Sequence, residues 1–98
     1  MRIITYKRIK EFSEKHADAE NPLNFWYHTV ISKEWDSFND VKLTFNSVDY
    51  VGNHRFVFNI KGNTYRLVAI ISFNSNKVYI RFIGTHSEYD KIKDIKNI

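Results

Sequence analysis

The chain has 98 residues, 43% of them hydrophobic and 16% aromatic, which supplies one compact core and predicts a single domain over 1–98. It has no cysteine, which excludes a disulfide framework, a thiolate metal centre and a cysteine nucleophile. The formal net charge of +4 is uneven: up to His54 seven basic residues face eight acidic ones, whereas from Arg55 onward eight face three. A basic half suggests a surface turned toward a polyanion, nucleic acid first, with a merely solvated basic surface as the alternative. The longest apolar run, Leu67 to Ile71, is strand-sized, and the opening Met1-Arg2-Ile3-Ile4 has no signal-peptide character. A cytoplasmic protein away from membranes is expected.

Arg2 to Thr5 predicts a short edge strand, with Thr5 placed to cap a helix from Tyr6 to about His16 whose apolar positions include Ile9 and Phe12. After a connector at Ala17 to Glu20, Asn21-Pro22 marks a second helix, with Asn as N-cap and Pro at the first helical position. Leu23, Trp26, Val30 and Ile31 form its apolar stripe, and its end is expected near Trp35-Asp36. That stripe suits a core; left partly exposed, Leu23, Trp26 and Val30 would instead offer a docking place for a partner segment. Ser37 to Asn53 is ambiguous, irregular or one short helical turn. Beyond it the period changes to two: Arg55 to Ile60, Tyr65 to Phe73 and Lys77 to Ile83 predict three strands joined by the hairpin loops Lys61 to Thr64 and Asn74 to Asn76. Thr85-His86-Ser87-Glu88 has the spacing of a capping box and predicts a last helix reaching about Ile95.

Four residues of the basic half suit phosphate chemistry. Alternation puts Arg66 on a face with Val68 and Ile70, and Arg81 on a face with Tyr79 and Ile83; whether the two faces coincide depends on register. An arginine in an apolar strand needs a compensating partner, and a guanidinium fork matches phosphate in two places. The plainer alternative is an ion pair with a carboxylate such as Asp49 or Asp90. His86 and Tyr89, three apart at a helix start, can point the same way; one exchanges protons near neutral pH, the other stacks or donates. Alone, each reads as a local cap or a packing residue. Glu88 fits the capping box better than a base. His16, His28, His54 and His86 are scattered, so no metal centre and no cofactor is expected. In RNA the 2′-hydroxyl is an internal nucleophile, so a base, an acid and cations suffice. Arg55, Lys61 and Lys77 are further basic positions expected to contact RNA backbone.

Three segments resemble a known family. Asp49-Tyr50-Val51-Gly52-Asn53, the run from Phe56 to Ile60 with Gly62-Asn63 and Tyr65-Arg66-Leu67, and the closing Ile80-Arg81-Phe82-Ile83-Gly84-Thr85-His86-Ser87-Glu88-Tyr89-Asp90-Lys91-Ile92 are similar to the HigB toxins. Met1-Arg2-Ile3-Ile4 and Trp26-Tyr27 are similar as well, so the likeness covers nearly the whole chain; Lys61 departs from it, standing where the family more often has a glycine or small residue. The resemblance implies an α+β, RelE-like fold, two N-terminal helices packed on an antiparallel sheet with a short C-terminal helix. It also implies messenger RNA cleavage, often on the ribosome, neutralisation by a HigA-type helix-turn-helix antitoxin, and operator DNA bound through the antitoxin complex. Carried over residue by residue, it reaches Arg66, Arg81, His86 and Tyr89. Two rivals remain: a toxin of the same fold that poisons DNA gyrase, and a non-catalytic nucleic-acid-binding co-repressor.

Overall fold

The computed structural model describes residues 1–98. Its strands are β1 (Arg2–Ile3), β2 (Asp49–Gly52), β3 (Arg55–Ile60), β4 (Tyr65–Ser72) and β5 (Lys77–Thr85). Its helices are α1 (Tyr6–Lys15), α2 (Glu20–Ile31), α3 (Phe38–Thr44) and α4 (His86–Asp90), with single 3-10 turns at Ala17–Ala19 and Ile95–Asn97. The strands form one sheet in the order β1-β5-β4-β3-β2, antiparallel throughout except that β1 runs parallel to β5. The α+β architecture expected from the resemblance is therefore present, with α3 and β2 occupying the stretch that the sequence pattern left open.

Alternation along the strands divides the sheet into two faces. Tyr65, Leu67, Ala69 and Ile71 of β4 point into a core of 17 buried residues, joined by Phe56, Phe58 and Ile60 of β3 and Val78 and Ile80 of β5. The helices close that core with Ile9, Ala19, Leu23, Trp26, Val30 and Val41. Trp26 meets Phe58 edge to face, ring centroids 5.3 Å apart. Leu23, Trp26 and Val30 are at most 1% exposed, so this stripe is core and no docking place. The opposite face carries Arg55, Val57 and Asn59 of β3 and Arg66, Val68 and Ile70 of β4.

Several boundaries differ from expectation for identifiable reasons. The chain turns helically from Ala17, and α2 begins at Glu20 with Ala19 at its N-cap, so Asn21 lies inside the first turn instead of capping it. Pro22 still falls where a missing N–H has no helical partner to lose. The same helix stops at Ile31, not Trp35, because Trp35 turns inward, 2% exposed, and its Nε1 donates to Thr44 Oγ1 at 3.1 Å. The final helix is five residues long and ends at Asp90, well short of Ile95. In the β3–β4 hairpin Lys61 (φ 52°) and Gly62 (φ 61°) both adopt left-handed backbone, which is why a glycine suits position 61 and a lysine is unusual there. Lys61 instead reaches back to the helix layer, its Nζ 2.6 Å from Asp18 Oδ2.

Thr5 does not cap α1 through its side chain. Its hydroxyl donates to the Ile80 carbonyl (3.2 Å) and accepts from the Ile80 N–H (2.7 Å), continuing along β5 where the two-residue β1 has ended. A buried strand edge with unpaired backbone groups is costly, and this one side chain satisfies both. Thr5→Val keeps the shape and loses both bonds, so stability is expected to fall by about 2 kcal/mol. A lower urea midpoint at unchanged slope is the readout; an unshifted midpoint would show that these bonds contribute nothing.

Asp18 pins the connector between α1 and α2 to the β3–β4 hairpin, taking bonds from Lys61 and from the Tyr65 hydroxyl. The bond from Lys61 first, and that from Tyr65 second, hold its carboxyl below the ordinary 3.8. A carboxylate with a lowered folded value contributes stability above its unfolded value and loses it as pH falls through the folded one. Asp18→Asn is therefore expected to be less stable than the parent at neutral pH, with the gap closing below pH 3.8. Urea melts of both proteins across the acid range check this; a gap that does not change with pH would contradict it.

Candidate functional site

The open face is organised by cross-strand rows. Arg66 of β4 lies between Asn59 of β3 and Gly84 of β5, and Val68 lies between Val57 and Phe82. Between the pairs Val68–Phe82 and Ala69–Ile80 the register slips, leaving Arg81 as the extra residue of a β-bulge in β5. The bulge answers the question of faces. Tyr79, Phe82 and Gly84 join the face of Arg66, whereas Ile83 packs against the core, so Tyr79 and Ile83 do not share a face as simple alternation predicts.

Gly84 is where a side chain cannot be. A Cβ there would meet Phe82 Cζ at 2.5 Å and Glu88 Oε1 at 3.1 Å. The bare backbone lets the Phe82 ring fold over this position, across the strand from Arg66.

Immediately after β5, Thr85 starts α4 through a complete capping box. Its N–H donates to Glu88 Oε1 (2.7 Å) and the Glu88 N–H donates to Thr85 Oγ1 (3.1 Å). The backbone bond from Thr85 is the main reason the Glu88 carboxyl is held below its ordinary value. Glu88 thus serves the cap and is not poised as a base, as its spacing indicated. The His86 N–H donates to the Thr64 carbonyl (3.1 Å), fastening the helix start to the β3–β4 loop.

The helix then presents two side chains of interest. His86 Nδ1 lies 2.9 Å from Asp90 Oδ2, one turn on, which orients the imidazole and leaves Nε2 as the nitrogen available to a ligand. Tyr89 lies on the Arg66 side, with the guanidinium carbon 5.9 Å from its ring centroid. Burial, with the charge of Asp49 second, raises the Tyr89 hydroxyl above its ordinary 10.0, against an opposing pull from Arg66. At neutral pH the phenol keeps its proton and can donate it. Arg66 also donates a long bond to the Asn63 carbonyl (3.4 Å) and has no carboxylate partner.

The structure therefore sets Arg66 beside Tyr89, with the Asp90-paired His86 on the same helix as Tyr89, and it places Arg81 elsewhere along β5. Arg81 shares the face but donates through Nε to the Ile98 carbonyl (3.1 Å), and Arg55 donates to the same oxygen through NH2 (2.8 Å). Neither Arg66 nor Arg81 forms the ion pair with Asp49 or Asp90 that was the plainer alternative. Of the expected RNA-backbone contacts, Arg55 lies on the open face, whereas Lys61 is engaged by Asp18 and Lys77 sits at the far end of β5, opposite Ser72. Asp90 was missed as the partner of His86, although the four-residue spacing on a helix carried that signal. Asp49 was missed as a charge acting on Tyr89, and no local signal could show it, because β2 reaches the site only through the sheet.

The HigB toxin family model, described as the RelE-like toxic component of a toxin–antitoxin system, matches residues 19–92. The mRNA interferase toxin HigB of Escherichia coli is 37% identical over 93 residues, covering 92% of this chain and 88% of that protein. The mRNA interferase HigB of Shigella flexneri shows the same 37% identity over 93 residues, with the same coverage of 92% and 88%. A second Escherichia coli mRNA interferase HigB is 24% identical over 94 residues, covering 94% of this chain and 91% of that protein. The chain belongs to the HigB toxin family, the RelE-like toxic components of toxin–antitoxin systems.

Proposed function

We propose that this protein is an endoribonuclease, an mRNA interferase that cleaves messenger RNA and thereby arrests translation, with residues 1–98 acting as one toxin domain. The observation that carries the reading is an arginine without a carboxylate partner beside Tyr89, whose phenol keeps its proton, at a helix that also carries the Asp90-oriented His86. RNA brings its own nucleophile. The 2′-hydroxyl attacks the adjacent phosphate, the bond to the 5′-oxygen breaks, and the products are a 2′,3′-cyclic phosphate and a 5′-hydroxyl. The protein must move two protons and neutralise the pentacoordinate phosphorane.

In this scheme Arg66 faces the phosphorane, because it is the arginine beside Tyr89. His86 exchanges a proton through Nε2 while Asp90 holds Nδ1. Tyr89 donates to the leaving oxygen or stacks on a base, roles compatible with a hydroxyl that stays protonated. Asp90 is a positioning residue. Arg81 and Arg55 lie farther along the strand path. An antitoxin is the partner implied by the family, and a HigA-type helix-turn-helix antitoxin, binding operator DNA together with the toxin, fits this reading. So do action on ribosome-bound messages and a cytoplasmic location; no helix is long and apolar enough to cross a membrane.

Inducible expression with primer-extension mapping of message ends tests the proposal. New 5′ ends and growth arrest are expected for the parent protein, with cleavage falling about 100-fold or more in His86→Ala and in Arg66→Ala. Tyr89→Phe separates the roles of Tyr89: retained cleavage means stacking, lost cleavage means proton donation. If His86→Ala and Arg66→Ala both remain fully toxic, the site assignment is wrong. A DNA-damage response with intact messages would replace ribonuclease with gyrase poisoning.

A further inference from the structure

Arg55 and Arg81 come from β3 and β5, strands separated by β4, yet their guanidinium groups converge on a single oxygen, the Ile98 carbonyl (2.8 Å and 3.1 Å). Two cations are brought to one acceptor, the backbone oxygen of Ile98, and no Asp or Glu side chain pairs with either of them. The three ion pairs of the molecule are Lys7–Glu11, Lys61–Asp18 and His86–Asp90, none of which reaches either arginine. Donors also exceed acceptors: Arg55 gives one NH1 bond to the Asn53 carbonyl (2.9 Å), while its buried Nε has no partner. Paired guanidinium forks with spare N–H groups match the several oxygens of a phosphate.

The placement of the pair is not accidental. Arg55 is held in the row Arg55–Ile70–Tyr79, and the β-bulge makes Arg81 the extra residue of β5 just beyond that row. Arg81 is three residues from Gly84, the cross-strand partner of Arg66, which is about 10 Å along the strand. A strand of RNA leaving the scissile phosphate along this face therefore meets Arg81 and Arg55 next.

What now occupies the pair is the closing segment of the chain. Its 3-10 turn, Ile95–Asn97, lies against β2. Asn53 Nδ2 donates to the Lys96 carbonyl (2.9 Å), and the Lys96 stem passes over Gly52, where an added Cβ would be 3.1 Å from its Cε. The attachment consists of few hydrogen bonds together with the half-buried side chains of Ile95 and Ile98.

We propose that Arg55 and Arg81 form a second phosphate subsite for the RNA strand, and that the segment around Ile98 occupies it until RNA displaces it. The proposal rests on the ribonuclease reading for the identity of the polyanion. It makes the closing segment a built-in competitor of substrate.

The test is binding of a short single-stranded 2′-O-methyl RNA, followed by fluorescence anisotropy at several salt concentrations. Methylation blocks the internal nucleophile, so binding is measured without cleavage. Three proteins are compared with the full chain: one lacking residues 94–98, Asn53→Gly, and the double variant Arg55→Gln/Arg81→Gln. Asn53→Gly releases the Lys96 carbonyl while suiting the left-handed backbone at this position (φ 48°), and so perturbs the segment without deleting it.

Removing 94–98 is expected to tighten binding several-fold, and Asn53→Gly to move it the same way by less. The double variant is expected to weaken binding about tenfold and to make the logarithmic salt dependence shallower by about 0.7, the loss of one phosphate contact to a single strand. In that background, removing 94–98 should have no effect. If both the deletion and Asn53→Gly leave affinity unchanged, the closing segment is not a competitor. If the double variant keeps the parent salt slope, the arginines are not a phosphate subsite. Message cleavage by the parent protein scores the ribonuclease reading separately, since cleavage can persist when either binding result fails.

Discussion

The bulge at Arg81 is the constraint on which the working face depends. Strict alternation after the buried Ile80 would send Phe82 and Gly84 into the core and Ile83 outward. One extra residue reverses this, so Phe82 and Gly84 share a face with Arg66, Ile83 packs inward, and α4 is delivered over the β3–β4 hairpin. On the other side of β5, the Thr5 hydroxyl holds the Ile80 backbone immediately before the slip. An edge interaction from the start of the chain thus steadies the strand at the point where its phase changes.

The division of labour between faces follows from packing. One face must be covered by α1, α2 and α3 if a chain of this length is to bury a core, and that uses most of its large apolar side chains. The opposite face is covered only by α4 and the closing segment. Its middle row, Val57–Val68–Phe82, is an apolar floor, with Arg66 on one side and Arg55 and Arg81 on the other. Cations set beside low-dielectric side chains interact with a phosphate more strongly than they would in open solvent. The charge asymmetry of the sequence becomes a surface in this way, although Lys61 and Lys77 take no part in it.

Much of the fold was legible. The period-two runs of β3, β4 and β5, the hairpin loops between them and the capping box at Thr85 all rest on local preferences that the tertiary structure leaves intact. Helix ends were less legible, because they depend on distant partners: Trp35 leaves the helical path to be buried near Thr44, and nothing within α2 announces that. At the site, His86 and Tyr89 were visible because three-residue spacing on a helix is a local fact. Whether Arg66 and Arg81 share a face was not legible, because a bulge has no reliable sequence mark and a shift of one residue turns side chains to the other face.

By itself the sequence determined the residue types available for phosphate chemistry, their concentration after position 55, the strand-rich second half and the resemblance that named the family. These follow from composition and from short-range periodicity. The tertiary structure alone decided which arginine stands beside Tyr89, that Asp90 serves His86, that Asp49 acts on Tyr89 from across the sheet, and that Arg55 and Arg81 meet at Ile98. Except for the Asp90–His86 pair, which lies within one helix, each of these joins separate elements of the sheet face, and strand register is settled by packing over the whole sheet, where no single stretch of sequence can specify it.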